Sequence, residues 1–437
     1  MAYPPDVLVR VIIRPPVRPV VVRARITSPL AVVSDSYLGG FASGRRLRYS
    51  DEKQFVWWTP GSCVYLLTHD WYGTNGLWMR NARTGGTVWQ DTNFGEGSIN
   101  WNNWFLKGVF GTPDGGFILY NSSDAFSLRK YTTAAAPVWA YINTDLDDDF
   151  YFRGHAEIDN GVLYAGTYTR ENGTTGGTRE VKVVAVDTSD GSEVWAVTHD
   201  MPTPSVDTDA NQGLHVSARN GVVWLTFGEQ IMALDASDGS VTATTQVDAM
   251  SGESDQTLIS ASYSGGLVTL TQRTVGGTQS WVLRRYALSG SSITQDAATV
   301  LSLGADETFL TYQGQMSGST WVLAGGVTEV GSPDWRQAVL SIDVLEQSQK
   351  WFNDSVVFDD TDAFGHYSVA VHGGIVYAGP FADVDSEVYR YWLPDGSMLP
   401  DGLLPMPSFS GVVVGIVTPP APCLGLAPPD PGPGEIM

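Results

Sequence analysis

The feature that most constrains this chain is a short sequence unit that recurs at intervals of 48 to 57 residues. The clearest copy runs from Ala185 to Trp195, with aspartates at 187 and 190 followed by Gly191. A second copy begins at Ala233 and has Ala243 at the tryptophan position. The lead positions of the copies are Asn81, Tyr131, Asp187, Asp235, Tyr286, Asp343 and Trp392. An interval of this length indicates that each copy is one supersecondary unit.

The residue pattern of each unit predicts a group of short strands joined by tight turns. Glycine-containing turns lead into apolar runs at Gly161–Tyr164, Gly221–Trp224, Gly265–Val268 and Gly374–Tyr377. An aspartate side chain can cap the turn that follows a strand, and glycine accepts a positive φ angle there. We therefore predict an all-β fold: a single β-propeller of seven four-stranded antiparallel blades, with eight as the alternative. Residues 31–50 and 411–417 fit no copy, and one or both are expected to complete a blade from the two chain ends.

The tryptophan of the unit is expected to lie on an outer strand and fill the wedge between neighbouring blades, because of its size. The residues assigned this structural docking role are Trp89, Trp139, Trp195 and Trp351.

The spacing of alanine, aspartate, glycine and tryptophan from 185 to 195 resembles the tryptophan-docking repeat of the PQQ-like (quinoprotein-like) propeller family, over roughly residues 60–400. Dehydrogenases of that family bind pyrroloquinoline quinone and calcium beside adjacent cysteines. Here the two cysteines, Cys63 and Cys423, are far apart in the sequence. The resemblance therefore implies the fold without the quinone cofactor, and we expect a protein that is not an enzyme.

The two ends of the chain differ in composition from its middle. Residues 1–30 are rich in proline, valine and arginine, and residues 419–437 are rich in proline and glycine, so both are expected to be extended arms beside a propeller of residues 31–418. The arginines predicted to dock the N-terminal arm onto a partner are Arg10, Arg14, Arg18, Arg23 and Arg25. Such arms cannot build a core alone, which favours contact with protein subunits of a larger assembly.

Charge and hydropathy narrow the classes of partner. Lys and Arg number 25 against 47 Asp and Glu, a net charge of −22, which argues against a nucleic-acid partner. The sequence contains no convincing signal peptide and no apolar run of about 20 residues that would span a membrane. The two cysteines are expected to be free thiols, with a disulfide as the alternative. We expect assembly in the cytoplasm.

Two sets of residues could bind metal. Asp207, Asp209 and Asn211 alternate hard oxygen ligands on a loop; we expect a solvated acidic loop without a cofactor, and a structural Ca²⁺ ion bound by these three residues is the alternative. His155, His215 and His366 each occur near the start of a predicted strand, and we interpret them as structural hydrogen-bonding residues.

The function predicted from these features is that of a non-catalytic platform docked by its termini into a large particle, for which a tailed-phage virion (tail, baseplate or head appendage) is the setting we expect. A glycan- or receptor-binding propeller is the first alternative, because exposed aromatic residues can stack on sugar rings. The aromatic residues considered for that role are Trp71, Tyr72, Trp101, Trp104 and Phe105. A quinoprotein-like or glycan-cleaving enzyme is the second alternative.

Overall fold

The structure is a computed structural model. It describes residues 7–11, 20–24, 65–70, 77–81, 87–91, 106–112, 114, 116–121, 126–132, 136–143, 150–151, 156–169, 178–202, 214–248, 253–275, 278–301, 307–329, 335–358, 368–372, 374–379, 387–405 and 411–417. The chain divides into two compact units, one of residues 1–64 with 418–437 and one of residues 65–417.

In the first unit, the described residues form an antiparallel hairpin of β1 (Val7–Val11) and β2 (Val20–Ala24). Ten residues of the predicted N-terminal arm are therefore paired strands. Runs of valine favour strands, and neither strand contains a proline, which would remove a ladder hydrogen bond.

The second unit consists of antiparallel sheets in which successive strands pair with one another. Sheet A is β3 (Tyr65–Asp70), β4 (Leu77–Asn81) and β5 (Thr87–Asp91), completed by β31 (Gly411–Val417). Sheet B is β6 (Leu106–Gly111), β7 (Phe117–Asn121), β8 (Phe126–Tyr131) and β9 (Pro137–Asn143). Sheet C is β10 (Phe150–Tyr151), β11 (Glu157–Asp159), β12 (Val162–Thr169), β13 (Thr178–Asp187) and β14 (Glu193–Pro202).

The remaining sheets follow in chain order and each has four strands. Sheet D is β15 (His215–Arg219), β16 (Val222–Phe227), β17 (Gln230–Asp235) and β18 (Val241–Gln246). Sheet E is β19 (Glu253–Tyr263), β20 (Gly266–Val275), β21 (Thr278–Ser289) and β22 (Ser292–Leu301). Sheet F is β23 (Glu307–Ser317), β24 (Thr320–Glu329), β25 (Trp335–Asp343) and β26 (Ser348–Phe358). Sheet G is β27 (Ser368–His372), β28 (Ile375–Gly379), β29 (Glu387–Trp392) and β30 (Met398–Pro405).

These sheets are arranged as the blades of a β-propeller. Their first strands lie side by side, as in the contacts of β15 with β19, β19 with β23, β23 with β27, and β27 with β31, which in turn contacts β6. Strand β31, from the C-terminal part of the unit, pairs with β3, so sheet A joins the two ends of residues 65–417. The run 411–417, which matched no repeat copy, is this closing strand.

The prediction of seven or eight four-stranded blades is wrong. Among the described residues six sheets have four strands, and sheet C has five. In sheet C the inner edge of β12 is shared by two short strands, since β11 pairs with its beginning and β10 pairs with Tyr168 and Thr169 near its end. The sequence interval alone does not reveal this division of the inner edge.

The core lies between neighbouring sheets, where facing apolar residues interdigitate. The junction of sheets C and D buries Tyr164, Trp195, Val223 and Leu234. The junction of sheets D and E buries Trp224, Ile231, Leu267 and Tyr286. Sheet D therefore contributes both of its faces to the core, and the outer strands of sheets B, C and D carry exposed positions such as Val138, Val194 and Val241.

Candidate functional site

Most of the residues predicted to bind metal or ligand lie outside the described residues. These are Asp207, Asp209, Asn211, His155, His366, Trp71, Tyr72, Trp101, Trp104 and Phe105, together with Cys63 and Cys423. His215 is described: it lies on β15 opposite Thr226 and is 4% exposed. The described part of the chain contains no group of three or more His, Cys, Asp or Glu residues that could hold a metal ion.

The docking tryptophans that the structure describes all bind a backbone carbonyl of the next sheet. The indole N–H of Trp139 donates to the carbonyl of Thr188 at 3.2 Å, that of Trp195 to Ala236 at 2.9 Å, and that of Trp351 to Leu393 at 2.7 Å. The side chain of Trp89 is outside the description.

Each accepting carbonyl lies one residue after a lead position, in the turn that ends the third strand. Within that turn Asp235 accepts a hydrogen bond from the backbone N–H of Ser237 at 2.8 Å, and Gly239 follows with φ of +75°. A Cβ at Gly239 would lie 2.8 Å from a ring carbon of Trp195, so the indole packs directly on the glycine. The aspartate and glycine of the repeat thus shape the surface on which the tryptophan of the preceding sheet packs.

A second group of polar residues connects the inner strands of three consecutive sheets. Glu157, on β11, accepts a hydrogen bond from the backbone N–H of Ala218 on β15 at 3.0 Å. The same carboxyl oxygen accepts one from the hydroxyl of Ser262 on β19, also at 3.0 Å. Ser262 in turn lies 3.3 Å from the carbonyl of Ala218. We call Glu157, Ala218 and Ser262 the inner bridge.

The carboxyl group of the inner bridge is largely removed from water. Burial is the largest influence, and the pKa of Glu157 is raised from 4.5 to about 7 although the hydrogen bonds from Ala218 and Ser262 and the charge of Arg219 lower it; the charge of Asp159 acts in the same direction as burial. A carboxyl group with such a pKa can exchange a proton near neutral pH, which is a property of general acids and bases in enzymes.

The same kind of bridge occurs a second time in the molecule. Gln315, on β23, accepts a hydrogen bond from the backbone N–H of Val371 on β27 at 2.6 Å. Glu157 and Gln315 both stand two residues before the end of an inner strand, at Asp159 and Ser317. An amide cannot act as an acid or base at neutral pH, so the geometry shared by the two bridges favours a structural role for both.

Nothing in the sequence singled out the inner bridge. Glu157 belongs to an ordinary alternation of polar and apolar residues, Glu-Ile-Asp, before an Asn-Gly turn. The bridge depends on which inner strands are neighbours in space, and its two partners are 61 and 105 residues further along the chain.

The N-terminal hairpin places its residues on two faces of unlike composition. Residues opposite one another in an antiparallel pair share a face, and alternate residues of a strand point to opposite faces. One face holds Val7, Val9, Val11, Val20, Val22 and Ala24. The other holds Leu8, Arg10, Val21 and Arg23. The remaining predicted docking arginines, Arg14, Arg18 and Arg25, lie outside the described residues.

Comparisons with known proteins identify no family. No protein-family profile and no curated protein matches the sequence. Similar solved structures include AztD from Citrobacter koseri, with 10% identity and a TM-score of 0.48 over 83% of this chain and 100% of that one. BamB from Moraxella catarrhalis has 12% identity and a TM-score of 0.31 over 67% of this chain and 89% of that one. The dihydro-heme d1 dehydrogenase NirN has 12% identity and a TM-score of 0.40 over 80% and 74%.

Similarities of this size carry no argument about function, and membership of the PQQ-like family stays a prediction. The propeller architecture stands on the strand pairing itself. No helix within the described residues is long and apolar enough to cross a membrane.

Proposed function

We propose that this chain is a non-catalytic interaction protein in which a β-propeller serves as a platform and the N-terminal hairpin β1–β2 docks onto a neighbouring subunit. The observation that carries the proposal is the division of the hairpin into a face of five valines and one alanine and a face with two arginines. An isolated two-stranded hairpin is at best marginally stable in water. A hairpin with one wholly apolar face gains stability when another surface covers that face.

The occupant we propose is the propeller of a second copy of this chain. The first 29 residues hold five arginines and one acid, a net charge of +4. Since the whole chain carries −22, the other residues together carry −26. Opposite charges steer subunits together and fix their orientation, and edge strands of blades offer unpaired backbone groups to an added strand. The acidic propeller of a neighbour therefore complements the arginine-bearing hairpin.

The setting that we propose for such an assembly is a large particle put together in the cytoplasm, with a tailed-phage virion as the specific case. This part of the proposal is supported by the composition of the chain, whose N-terminal segment is rich in arginine and proline and whose other residues are acidic overall. Co-sedimentation of the protein with intact particles tests this part, and recovery of the protein only in the particle-free supernatant contradicts it.

The two alternative functions have less structural support than docking has. The glycan- or receptor-binding alternative rests on aromatic residues such as Trp71 and Trp101, which lie outside the described residues. The enzymatic alternative would use Glu157, but Gln315 forms the equivalent bridge without an ionisable group. We therefore keep docking as the proposed function.

Two neighbouring valines of β2 provide a matched test of docking. Val22 lies on the apolar face, paired with Val9, and Val21 lies on the arginine face, paired with Arg10. In the full chain, Val22→Asp should abolish self-association, because it places a charge in the covered surface. Val21→Asp, a substitution of the same kind one residue away, should weaken it much less. Light scattering coupled to size-exclusion chromatography measures both.

The outcomes are distinct. The wild-type chain should associate in a concentration-dependent way and more weakly at high salt, because part of the attraction is between exposed charges. A wild-type chain that stays monomeric at all concentrations, or equal effects of the two substitutions, would contradict docking through the apolar face onto a second copy.

A further inference from the structure

We propose that Glu157 is a proton-sensitive clamp: its carboxyl group ties the inner strands of sheets C, D and E together, and because that group is buried the folded chain is more stable when the carboxyl is neutral than when it is charged. This role is independent of docking by the hairpin. It concerns a residue for which the proposed function has no use, at a position where three sheets meet.

The geometry makes Glu157 a link among sheets that are not all neighbours. Sheet C contacts sheet D through β11 and β15, and sheet D contacts sheet E through β15 and β19. The carboxyl oxygen of Glu157 reaches beyond the adjacent strand, because it binds both the N–H of Ala218 and the hydroxyl of Ser262 at 3.0 Å. A side chain that joins three inner strands resists their separation more than one that joins two.

The groups around the carboxyl explain why its charge is unfavourable there. Burial is the largest influence and favours the neutral form, and Asp159 on the same strand acts in the same direction. Arg219 on β15 favours the charged form. The strand that pairs with β11 places Tyr164 opposite Glu157, and β15 also carries His215. The segment of β19 around Ser262, from Ser260 to Tyr263, adds no carboxylate or cation.

The direction of the pH effect follows from the pKa values. The pKa of Glu157 is about 7 in the folded chain against 4.5 for the ordinary group, so between these values the folded state binds more protons than the unfolded state. Stability then falls as the pH rises across this interval. The contribution of the clamp is complete below about pH 4.5 and is lost as the pH passes about 7.

The equivalent bridge at Gln315 provides a matched control. Gln315 is exposed and has one backbone partner, the N–H of Val371, whereas the carboxyl group of Glu157 is largely removed from water and has two partners. A glutamate at 315 would therefore keep most of its contact with water, and Gln315→Glu should add no comparable pH dependence. A glutamine at 157 retains an oxygen acceptor without an ionisable group.

The experiment compares the melting temperature of the full chain with those of Glu157→Gln and Gln315→Glu between pH 5 and pH 8. The wild-type protein should lose about 3 °C more than Glu157→Gln across this range, on the scale expected for a large domain. Gln315→Glu should follow the wild-type curve. Parallel curves for wild type and Glu157→Gln, with a constant difference at every pH, would overturn the proposal.

A second variant keeps the test decisive should Glu157→Gln fail to fold. The hydroxyl of Ser262 stabilises the charged form of Glu157, so its removal should raise the pKa of Glu157 further. Ser262→Ala should therefore make the loss of stability toward pH 8 larger than in wild type. A purely structural hydrogen bond would give the same loss at every pH, and that result would also overturn the proposal.

Discussion

The junction of sheets C and D and the junction of sheets D and E use the same position of the repeat in different ways. At the first, Trp195 packs on Gly239 and donates to the carbonyl of Ala236 at 2.9 Å. At the second, the equivalent position is Ala243, which is 6% exposed and packs with Ile293 of the next sheet. The comparison shows that the repeat preserves a filled wedge between sheets, while the residues that fill it change.

The space left by Ala243 is filled from the other side. After Tyr286 the hairpin of sheet E continues in regular pairing as far as Ser289 and Ser292, beyond the point at which the turn of sheet D begins. The extra residues include Leu288 and Ile293, which join the apolar cluster around Ala243. A longer hairpin thus supplies the volume that an indole supplies at the C–D junction.

The largest effect is expected from removing the indole at the C–D junction. Trp195 is 8% exposed, and Trp195→Ala removes both its packing on Gly239 and its hydrogen bond to Ala236. No longer hairpin is present there to fill the space. We expect a loss of about 4 kcal/mol in the free energy of unfolding, as for other buried tryptophans, measured by urea denaturation.

The neighbouring residue on β14 is the control for this substitution. Val194 is 46% exposed, so Val194→Ala should change stability by less than about 0.5 kcal/mol. A loss below about 1 kcal/mol for Trp195→Ala would contradict the importance of the wedge, because it would mean that the sheets close over the gap at little cost.

The turn residues at the junctions between sheets are recognisable in the sequence because their structure depends on residues close to them along the chain. Asp187 and Asp235 accept hydrogen bonds from the backbone of their own turns, and the glycines at 191 and 239 adopt positive φ angles. Where a copy has a tryptophan, it stands at a fixed distance after the lead position. In sheet F the glycine position is occupied by Gln347, which nevertheless has φ of +49°. The turn geometry therefore persists where the residue that signals it is lost.

The features that the sequence did not predict depend on pairing between distant residues. Strands β10 and β11 both pair with β12, and this division of its inner edge leaves the turn residues of the repeat unchanged. Gly290 follows Tyr286 as Gly239 follows Asp235, yet the turn of sheet E lies three residues further along. Burial raises the pKa of Glu157, and its hydrogen-bond partners lie 61 and 105 residues further along the chain, so a local pattern cannot reveal its environment.

A second prediction tests whether the wedge at the D–E junction is already full. Ala243→Trp would restore the repeat, but Ile293 and Leu288 already pack there. The substitution should therefore destabilise the chain by about 3 kcal/mol through overpacking. Thr244→Trp, at an exposed neighbouring position of β18, controls for the effect of a bulky residue on the strand. An increase in stability for Ala243→Trp would show that the junction has room for an indole.

The smallest expected effect is the difference in stability between two glycine-to-alanine substitutions. It distinguishes the cost of a clash with Trp195 from the cost of a positive φ angle. Gly239 and Gly290 both lie in turns with positive φ, +75° and +58°, where any Cβ costs about 1 kcal/mol. A Cβ at Gly239 would also lie 2.8 Å from a ring carbon of Trp195 and 3.0 Å from a methyl group of Val197, whereas a Cβ at Gly290 would have nothing within 4 Å. Gly290→Ala should therefore lower the free energy of unfolding by about 1 kcal/mol and Gly239→Ala by about 2 kcal/mol, measured by urea denaturation.

In the background of Trp195→Ala the two losses should become equal, since the indole that distinguishes the turns is absent. If the difference survives in that background, the cost at Gly239 comes from its own turn and not from the packed tryptophan.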